Sequence, residues 1–65
     1  MNETIHDRQG RRIGSITHSR DLSTAYSWNG VRLGYYRARE NITYRANGMR
    51  MGQGNLLSAL IWEST

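Results

Sequence analysis

Apolar and polar residues alternate along three stretches of the chain, and each stretch is centred on a glycine that follows Asn or Gln. Alternation of this kind is typical of β-strands that bury one face. A turn residue between two such runs predicts a hairpin. The pattern therefore predicts three hairpin units, over residues 4–16, 24–36 and 42–53, joined by linkers over residues 17–23 and 37–41.

The three units share one motif. An aromatic residue is followed at fixed spacing by Asn or Gln, then by Gly, Arg, an aliphatic residue and a second Gly, over residues 6–14, 26–34 and 44–52. The turn glycines are spaced by 20 and then 18 residues, and self-similarity at such a nearly constant period is the signature of a repeat architecture, in which each unit buries its apolar face against its neighbours. The motif therefore predicts an internal repeat.

The first glycine of each motif occupies the predicted turn. Asn-Gly favours a two-residue type I′ turn, because both central residues of that turn take positive φ angles. Gln9-Gly10 is a weaker form of the same signal, since Gln tolerates positive φ less well. The residues predicted to form the turns are Gly10, Asn29, Gly30, Asn47 and Gly48.

A two-residue turn also fixes which residues share a face of the strand pair. In the second unit it pairs Tyr26 with Leu33, and alternation adds Trp28, Val31 and Tyr35 to the same face. The corresponding apolar face of the third unit is predicted to hold Ile42, Tyr44, Met49 and Met51.

An apolar tail over residues 55–62 follows the third unit. Its large apolar residues recur at helical spacing, which predicts a short helix with Asn55 as the N-cap. A final buried strand is the alternative, since so short an apolar run fits both structures. We predict that the tail packs against the sheets or forms an oligomer interface through Leu56, Leu57, Leu60, Ile61 and Trp62.

The composition limits what holds the fold together. The chain has 65 residues and no cysteine, proline, lysine or phenylalanine, so it predicts a single domain over residues 1–65 without disulfides. His6 and His18 have no carboxylate at ligand spacing, and we predict no metal and no other cofactor. Because a chain this short rarely buries enough apolar surface alone, we expect the core to be completed by homo-oligomerisation.

Nine arginines against five acidic residues give a net charge of +4, and three arginines share one motif position. If the units surround an axis, Arg12, Arg32 and Arg50 converge on a site suited to phosphate. The predicted turns place Asp7 opposite Arg12 and Arg45 opposite Arg50, and a bound anion would relieve the second, like-charged pair. A solvated polar face is the alternative.

Tyrosines and tryptophans alternate with the arginines, most densely in the segment of residues 35–39. Stacking rings beside a basic groove are how small β-domains hold single-stranded nucleic acids. The alternative is that the tyrosines pack the small sheets. The predicted anion or nucleic-acid site consists of Arg12, Arg32, Arg37, Arg39, Arg45, Arg50 and Tyr36.

Residues 26–36, YSWNGVRLGYY, resemble the hairpin unit of the bacterial four-fold β-flower proteins, and the likeness extends over residues 5–54. The resemblance implies hairpins arrayed around a pseudo-symmetry axis, and it implies no particular activity. This chain has three units where that family has four. Residues 48–54, GMRMGQG, are also similar to the end of a MORN repeat.

The predicted fold is therefore all-β, with three β-hairpin repeats around a pseudo-symmetry axis and a short C-terminal helix or strand. Its scattered acidic residues and lack of a catalytic constellation predict no enzymatic activity. We expect a homo-oligomeric binding module for a protein or an anionic ligand, with nucleic-acid binding as the alternative. Without a signal sequence or a membrane-spanning run, we expect a cytoplasmic protein.

Overall fold

A computed structural model describes residues 2–65 as one six-stranded antiparallel sheet with a helix on one face. The strands follow one another in chain order across the sheet, each paired with the next. The mostly β prediction is confirmed, and the C-terminal segment is a helix. The elements are β1 (Asn2–His6), β2 (Arg12–His18), β3 (Leu22–Ser27), β4 (Arg32–Arg37), β5 (Ile42–Arg45), β6 (Arg50–Gln53) and α1 (Leu57–Glu63).

The two predicted linkers are themselves hairpin connections. Strands β2 and β3 pair up to His18 opposite Ser23, and β4 pairs with β5 up to Arg37 opposite Ile42. The three predicted units are therefore merged into one continuous meander, with β1 and β6 as its two edges. The arrangement around a pseudo-symmetry axis is not confirmed.

The motif turns have three-residue loops, and the prediction of two-residue type I′ turns was wrong. In the second unit Gly30 N–H donates to Ser27 O at 3.0 Å, and Ser27 N–H donates to Val31 O at 2.8 Å. Only the glycine of each loop takes positive φ, 87° at Gly30, while Asn29 and Asn47 do not. This is the hairpin loop that ends in a glycine bulge, which needs a single left-handed residue.

Each unit contains a second irregularity that moves the aliphatic motif residue to the other face. Tyr26 lies opposite Arg32 and Ala25 lies opposite Gly34, which leaves Leu33 as an extra residue between the two pairs. The predicted pairing of Tyr26 with Leu33 was therefore wrong. Ile13 and Met51 are the extra residues of the other two units, and all three aliphatic side chains pack in or against the core.

Helix α1 covers one face of the sheet and packs directly against the second glycine of the motifs. A Cβ atom at Gly14 would lie 2.7 Å from Ile61 Cγ2, and one at Gly34 would lie 2.6 Å from Leu60 Cδ1. Both distances are too short for any side chain, so the glycines let the helix approach the strands closely. The fully or nearly buried core is formed by Ile13, Ile16, Ala25, Leu57, Leu60 and Ile61.

This packing corrects the role predicted for the apolar tail. Leu57, Leu60 and Ile61 are buried against the chain's own sheet, so they are not available as an oligomer interface. Leu56 is half-buried above Gly52. Of the five predicted interface residues, Trp62 remains largely exposed. Helix α1 thus supplies, within one chain, part of the core that we expected a partner subunit to complete.

The first N–H groups of α1 are satisfied by side chains of both β5 and Asn55, although the N-cap position falls one residue after the predicted Asn55. The N-cap residue is Leu56, and its N–H donates to the buried Thr43 hydroxyl at 2.9 Å. The same hydroxyl donates to Gly54 O at 2.6 Å. Asn55 Oδ1 accepts the Leu57 N–H at 3.2 Å. Among residues 2–65 no helix is long and apolar enough to cross a bilayer.

Candidate functional site

No helix or strand of residues 2–65 packs on the face of the sheet opposite α1. Ala25 and Thr43 are fully buried on the helix side, as is the Cα of Gly34. Because alternate residues of a strand point to opposite faces, the tyrosine that follows each of them lies on the uncovered side. Together with the arginines beside them, these tyrosines define what we call the open face: Tyr26, Arg32, Tyr35, Arg37, Tyr44 and Arg50.

The centre of the open face is a pair of stacked tyrosines under two guanidinium groups. Tyr35 on β4 lies opposite Tyr44 on β5, with ring centroids 5.3 Å apart and planes inclined by 22°. Arg37 Cζ lies 5.5 Å from the Tyr35 centroid and 5.9 Å from the Tyr44 centroid, and Arg32 Cζ lies 6.0 Å from Tyr35. Cations at these distances are attracted to the rings. The rings therefore hold both guanidiniums on the surface of the sheet.

The Tyr44 ring is fixed at its outer end. Its hydroxyl donates to Glu40 Oε1 at 2.7 Å, and this hydrogen bond is the main cause that raises the pKa of Tyr44 above 10.0. Partial burial raises the pKa further. The phenol is therefore neutral under ordinary conditions and acts as a flat platform, not as a charged group.

Each of the five acidic side chains has a partner other than the arginines of the open face. The pairs are Glu3 with His18, Asp7 with Arg11, Asp21 with Arg39, Glu40 with Tyr44 and Glu63 with Arg45. Within residues 2–65, Arg32, Arg37 and Arg50 consequently have no carboxylate to neutralise them. Their charge is available to a ligand.

Only some of the predicted site residues lie together. Arg32, Arg37 and Arg50 lie on the open face, whereas Arg12 and Arg39 lie elsewhere. Arg12 begins β2, further along the same end of the sheet, and its guanidinium donates to Trp28 O at 3.2 Å. Arg39, by contrast, lies in the turn at the opposite end and is paired with Asp21 at 3.0 Å.

Two further predictions about this site were wrong. Tyr36 lies on the helix side, where it packs against the core and donates to Asn41 Oδ1 at 2.8 Å. Arg45 does not face Arg50, because the extra residue at Met51 places Arg50 opposite Tyr44. Arg45 instead binds the Glu63 carboxylate at 2.8 and 3.3 Å.

Asp7 does not lie opposite Arg12 as predicted, because Arg12 pairs with His6. Its carboxylate accepts the backbone N–H groups of Gln9 and Arg11, both at 2.9 Å, and lies 3.5 Å from the Arg11 guanidinium. Asp7 thus stabilises the first motif turn, and Arg12 keeps its charge.

The three repeated arginines form a row and do not converge. Arg12, Arg32 and Arg50 are the first residues of β2, β4 and β6, so they lie at the same end of the sheet on every second strand. Neighbouring strands are roughly 4.8 Å apart, which separates β2 from β6 by roughly 19 Å. The three guanidiniums therefore cannot share one small anion.

The open face includes a shallow cavity beside the stacked rings. It has a volume of about 280 Å³ and is lined by Leu22, Thr24, Arg32, Tyr35 and Arg37. A larger cavity of about 520 Å³ lies between the first two motif turns, where Trp28 and Arg12 meet Asp7 and Arg11. The smaller cavity has no acidic residue in its lining, so it is the better match for an anionic ligand.

The ion pair of Arg45 with Glu63 is expected to make stability depend weakly on pH. The hydrogen bond and charge of Arg45 lower the pKa of Glu63 below 4.5 in the folded chain. The pair therefore stabilises the fold at neutral pH, and its contribution is lost as the pH falls through the lowered pKa. Because both groups are exposed, the effect is small and is screened by salt.

We expect Glu63→Gln to lower the melting temperature slightly at neutral pH and low salt, and this difference from the wild type to shrink as the pH falls through the lowered pKa of Glu63. Thermal unfolding followed by circular dichroism across this range measures both. A difference that persists unchanged in acid would contradict the ion pair.

Tyr35 and Tyr44 are the two central residues of the open face that the sequence-based site omitted. Arg32 shares a face with Tyr35 because Leu33 is an extra residue between them, and an aliphatic residue followed by glycine inside a strand was the available signal. Among residues 2–65 no three His, Asp or Glu side chains gather where they could hold a metal ion.

No family model, no curated protein and no solved structure matches this chain. The resemblance of its motif to the β-flower proteins therefore stays a prediction. The open face, with its unpaired arginines on stacked tyrosines, is the feature on which a function for the chain can be argued.

Proposed function

We propose that this protein is a small non-enzymatic binding module that holds a single-stranded nucleic acid on the open face of its sheet and acts as a homo-oligomer. One observation carries the proposal. Arg32 and Arg37, which have no acidic partner within residues 2–65, lie over the stacked rings of Tyr35 and Tyr44. The guanidiniums offer positive charge to phosphates, and the rings beside them offer flat surfaces on which bases can stack.

The charge of the chain favours an anionic ligand. Three of the nine arginines are paired with acids, Arg11, Arg39 and Arg45, which leaves six unpaired within the described residues. Half of these six lie on the open face. A surface with one sign of charge attracts ligands of the opposite sign and speeds their association.

The spacing of the arginines favours an extended polyanion over a single phosphate. The repeated arginines follow the end of the sheet as a row roughly 19 Å long between β2 and β6. Successive phosphates of one strand can each meet a guanidinium along such a row. The anionic ligand that the repeated motif position predicts is, in this proposal, the phosphate backbone.

The tyrosines favour a single strand over a duplex. Unpaired bases stack on aromatic rings and on guanidinium planes, and each stacked base contributes about 1–3 kcal/mol. In a duplex the bases are already stacked on each other, so a flat sheet face would meet only the backbone. Tyr26 lies opposite Arg32 and repeats, one strand pair away, the combination of ring and guanidinium.

The proposal is tested by fluorescence anisotropy with a labelled single-stranded oligonucleotide over a range of salt concentrations. We expect binding whose logarithm falls linearly with the logarithm of salt, with a slope of about −2 if three phosphates are contacted. A duplex of the same length and inorganic polyphosphate are expected to bind more weakly. Binding independent of salt, or equal affinity for polyphosphate, would contradict the proposed site.

The cytoplasmic location stays a prediction. The protein partner that we propose is a second copy of the chain.

A further inference from the structure

Neighbouring hairpin units join in the same register at both junctions of the sheet. Between the first and second units Gly14 lies opposite Ser27, and between the second and third Gly34 lies opposite Arg45. In both cases the second motif glycine of one unit faces the residue that follows the aromatic of the next. The repeat therefore specifies the contact between units as well as the hairpins themselves.

The two edge strands of the sheet, β6 and β1, carry the motif positions that face each other in such a junction. Strand β6 carries the last motif glycine, Gly52, and strand β1 carries the first motif aromatic position, His6. Within residues 2–65 no strand pairs with the outer edge of either one. Edge strands present unpaired backbone N–H and C=O groups, which can pair with another chain.

We propose that β6 of one copy pairs with β1 of a second copy in this same register, with Gly52 opposite Asp7 and Gln53 opposite His6. The proposal rests on the homo-oligomer of the proposed function and specifies its interface. The partner is a second copy of this chain because each edge strand carries the motif positions that the other one needs. Strand β6 supplies the glycine side of the junction, and strand β1 supplies the aromatic side.

The residues that meet in this register are compatible. Asp7 lies directly after β1 and faces the uncharged Gly52, so this pair opposes no like charges. Neither edge strand contains proline or lysine, the residues that commonly prevent edge-to-edge association.

The contact joins unlike edges, so it can continue from copy to copy as a ring or a filament. It also extends the open face, because the pair of Gln53 and His6 takes the place that Tyr35 and Tyr44 hold inside one chain. Gly54, with φ of 91°, turns the chain away after β6 and limits the contact to a few residues on each side. We therefore expect weak association that depends on concentration.

Cysteine cross-linking tests the register, since the chain has no cysteine of its own. His6→Cys and Gln53→Cys are made as separate proteins, mixed and oxidised. Directly opposed residues bring two sulfur atoms within bonding distance. Inside one chain β1 and β6 are roughly 24 Å apart, so no intramolecular disulfide can form.

We expect the mixture to form a covalent dimer several-fold faster than either protein alone. Thr4→Cys replaces His6→Cys in the control mixture, because it lies on the same face of β1 but two residues out of register. His6 and Gln53 are exposed, so the substitutions leave the fold intact, which circular dichroism verifies.

Light scattering at the same concentrations separates the outcomes. Oligomers together with the register-specific disulfide support the interface. Oligomers with no disulfide, or with equal cross-linking of the Thr4 variant, overturn this interface but leave the homo-oligomer. A chain that stays monomeric at every concentration and does not cross-link overturns both.

Discussion

Gly34→Ala is expected to lower the free energy of unfolding by about 3 kcal/mol or more, which is enough to unfold much of so small a protein. The added Cβ would collide with the Tyr44 carbonyl oxygen on the adjacent strand and lie 2.6 Å from Leu60 Cδ1 on the helix. Neither neighbour can move cheaply, because the first belongs to the backbone of β5 and the second to the buried core. The methyl group would therefore push β4 from β5 and lift α1 from the sheet.

Gly52→Ala is the matched control. The same motif position in the third unit has one close neighbour, Leu56 Cδ1 at 3.0 Å, the flexible end of a half-buried side chain. We expect a loss below about 1.5 kcal/mol there. Urea unfolding followed by circular dichroism measures both variants. Equal stability of Gly34→Ala and the wild type would mean that the helix does not lie on the motif glycines.

Removing the three arginines of the open face is expected to weaken binding of a single-stranded oligonucleotide by about 100-fold at low salt, if each guanidinium contributes about 1 kcal/mol. The dependence of affinity on salt should become shallower by about 2 in slope, because three phosphate contacts are lost. The variant replaces Arg32, Arg37 and Arg50 with serine.

The chain offers a control with the same change in net charge. Serine at Arg11, Arg39 and Arg45 also removes three positive charges, but these side chains are already paired with Asp7, Asp21 and Glu63. We expect a loss of only a few-fold, because their charges are largely neutralised locally. Anisotropy titrations of both variants and the wild type, with melting temperatures as a check on folding, give the comparison. Equal losses in the two variants would mean that net charge alone drives binding.

The strands and the helix could be predicted from the sequence, because alternation and helical spacing are local properties. The positions of the turns also followed from Asn-Gly. The bulges could not be predicted, because no local feature of the sequence shows whether Leu33 pairs with a residue of β3 or is an extra residue. The choice depends on the helix, because the bulges direct Ile13, Leu33 and Met51 toward the core beneath α1.

The same bulges decided how well the site could be predicted. A shift of one residue moves side chains to the opposite face of a strand. Tyr36 was therefore predicted in the site, while Tyr35 is the tyrosine that lies on the open face. Arg45 was predicted to bind a ligand because its true partner, Glu63, lies 18 residues away on the helix and could not be identified from the sequence. Pairs of this kind appear only when the helix is docked.

The most direct test of the open face is a nuclear magnetic resonance titration of isotope-labelled protein with a short single-stranded oligonucleotide. The proposed function predicts that the largest shifts fall on the aromatic signals of Tyr35 and Tyr44 and on the guanidinium signals of Arg32 and Arg37, while signals of α1 stay in place. Shifts confined to α1 and its side of the sheet, or no shifts at low salt, would contradict it.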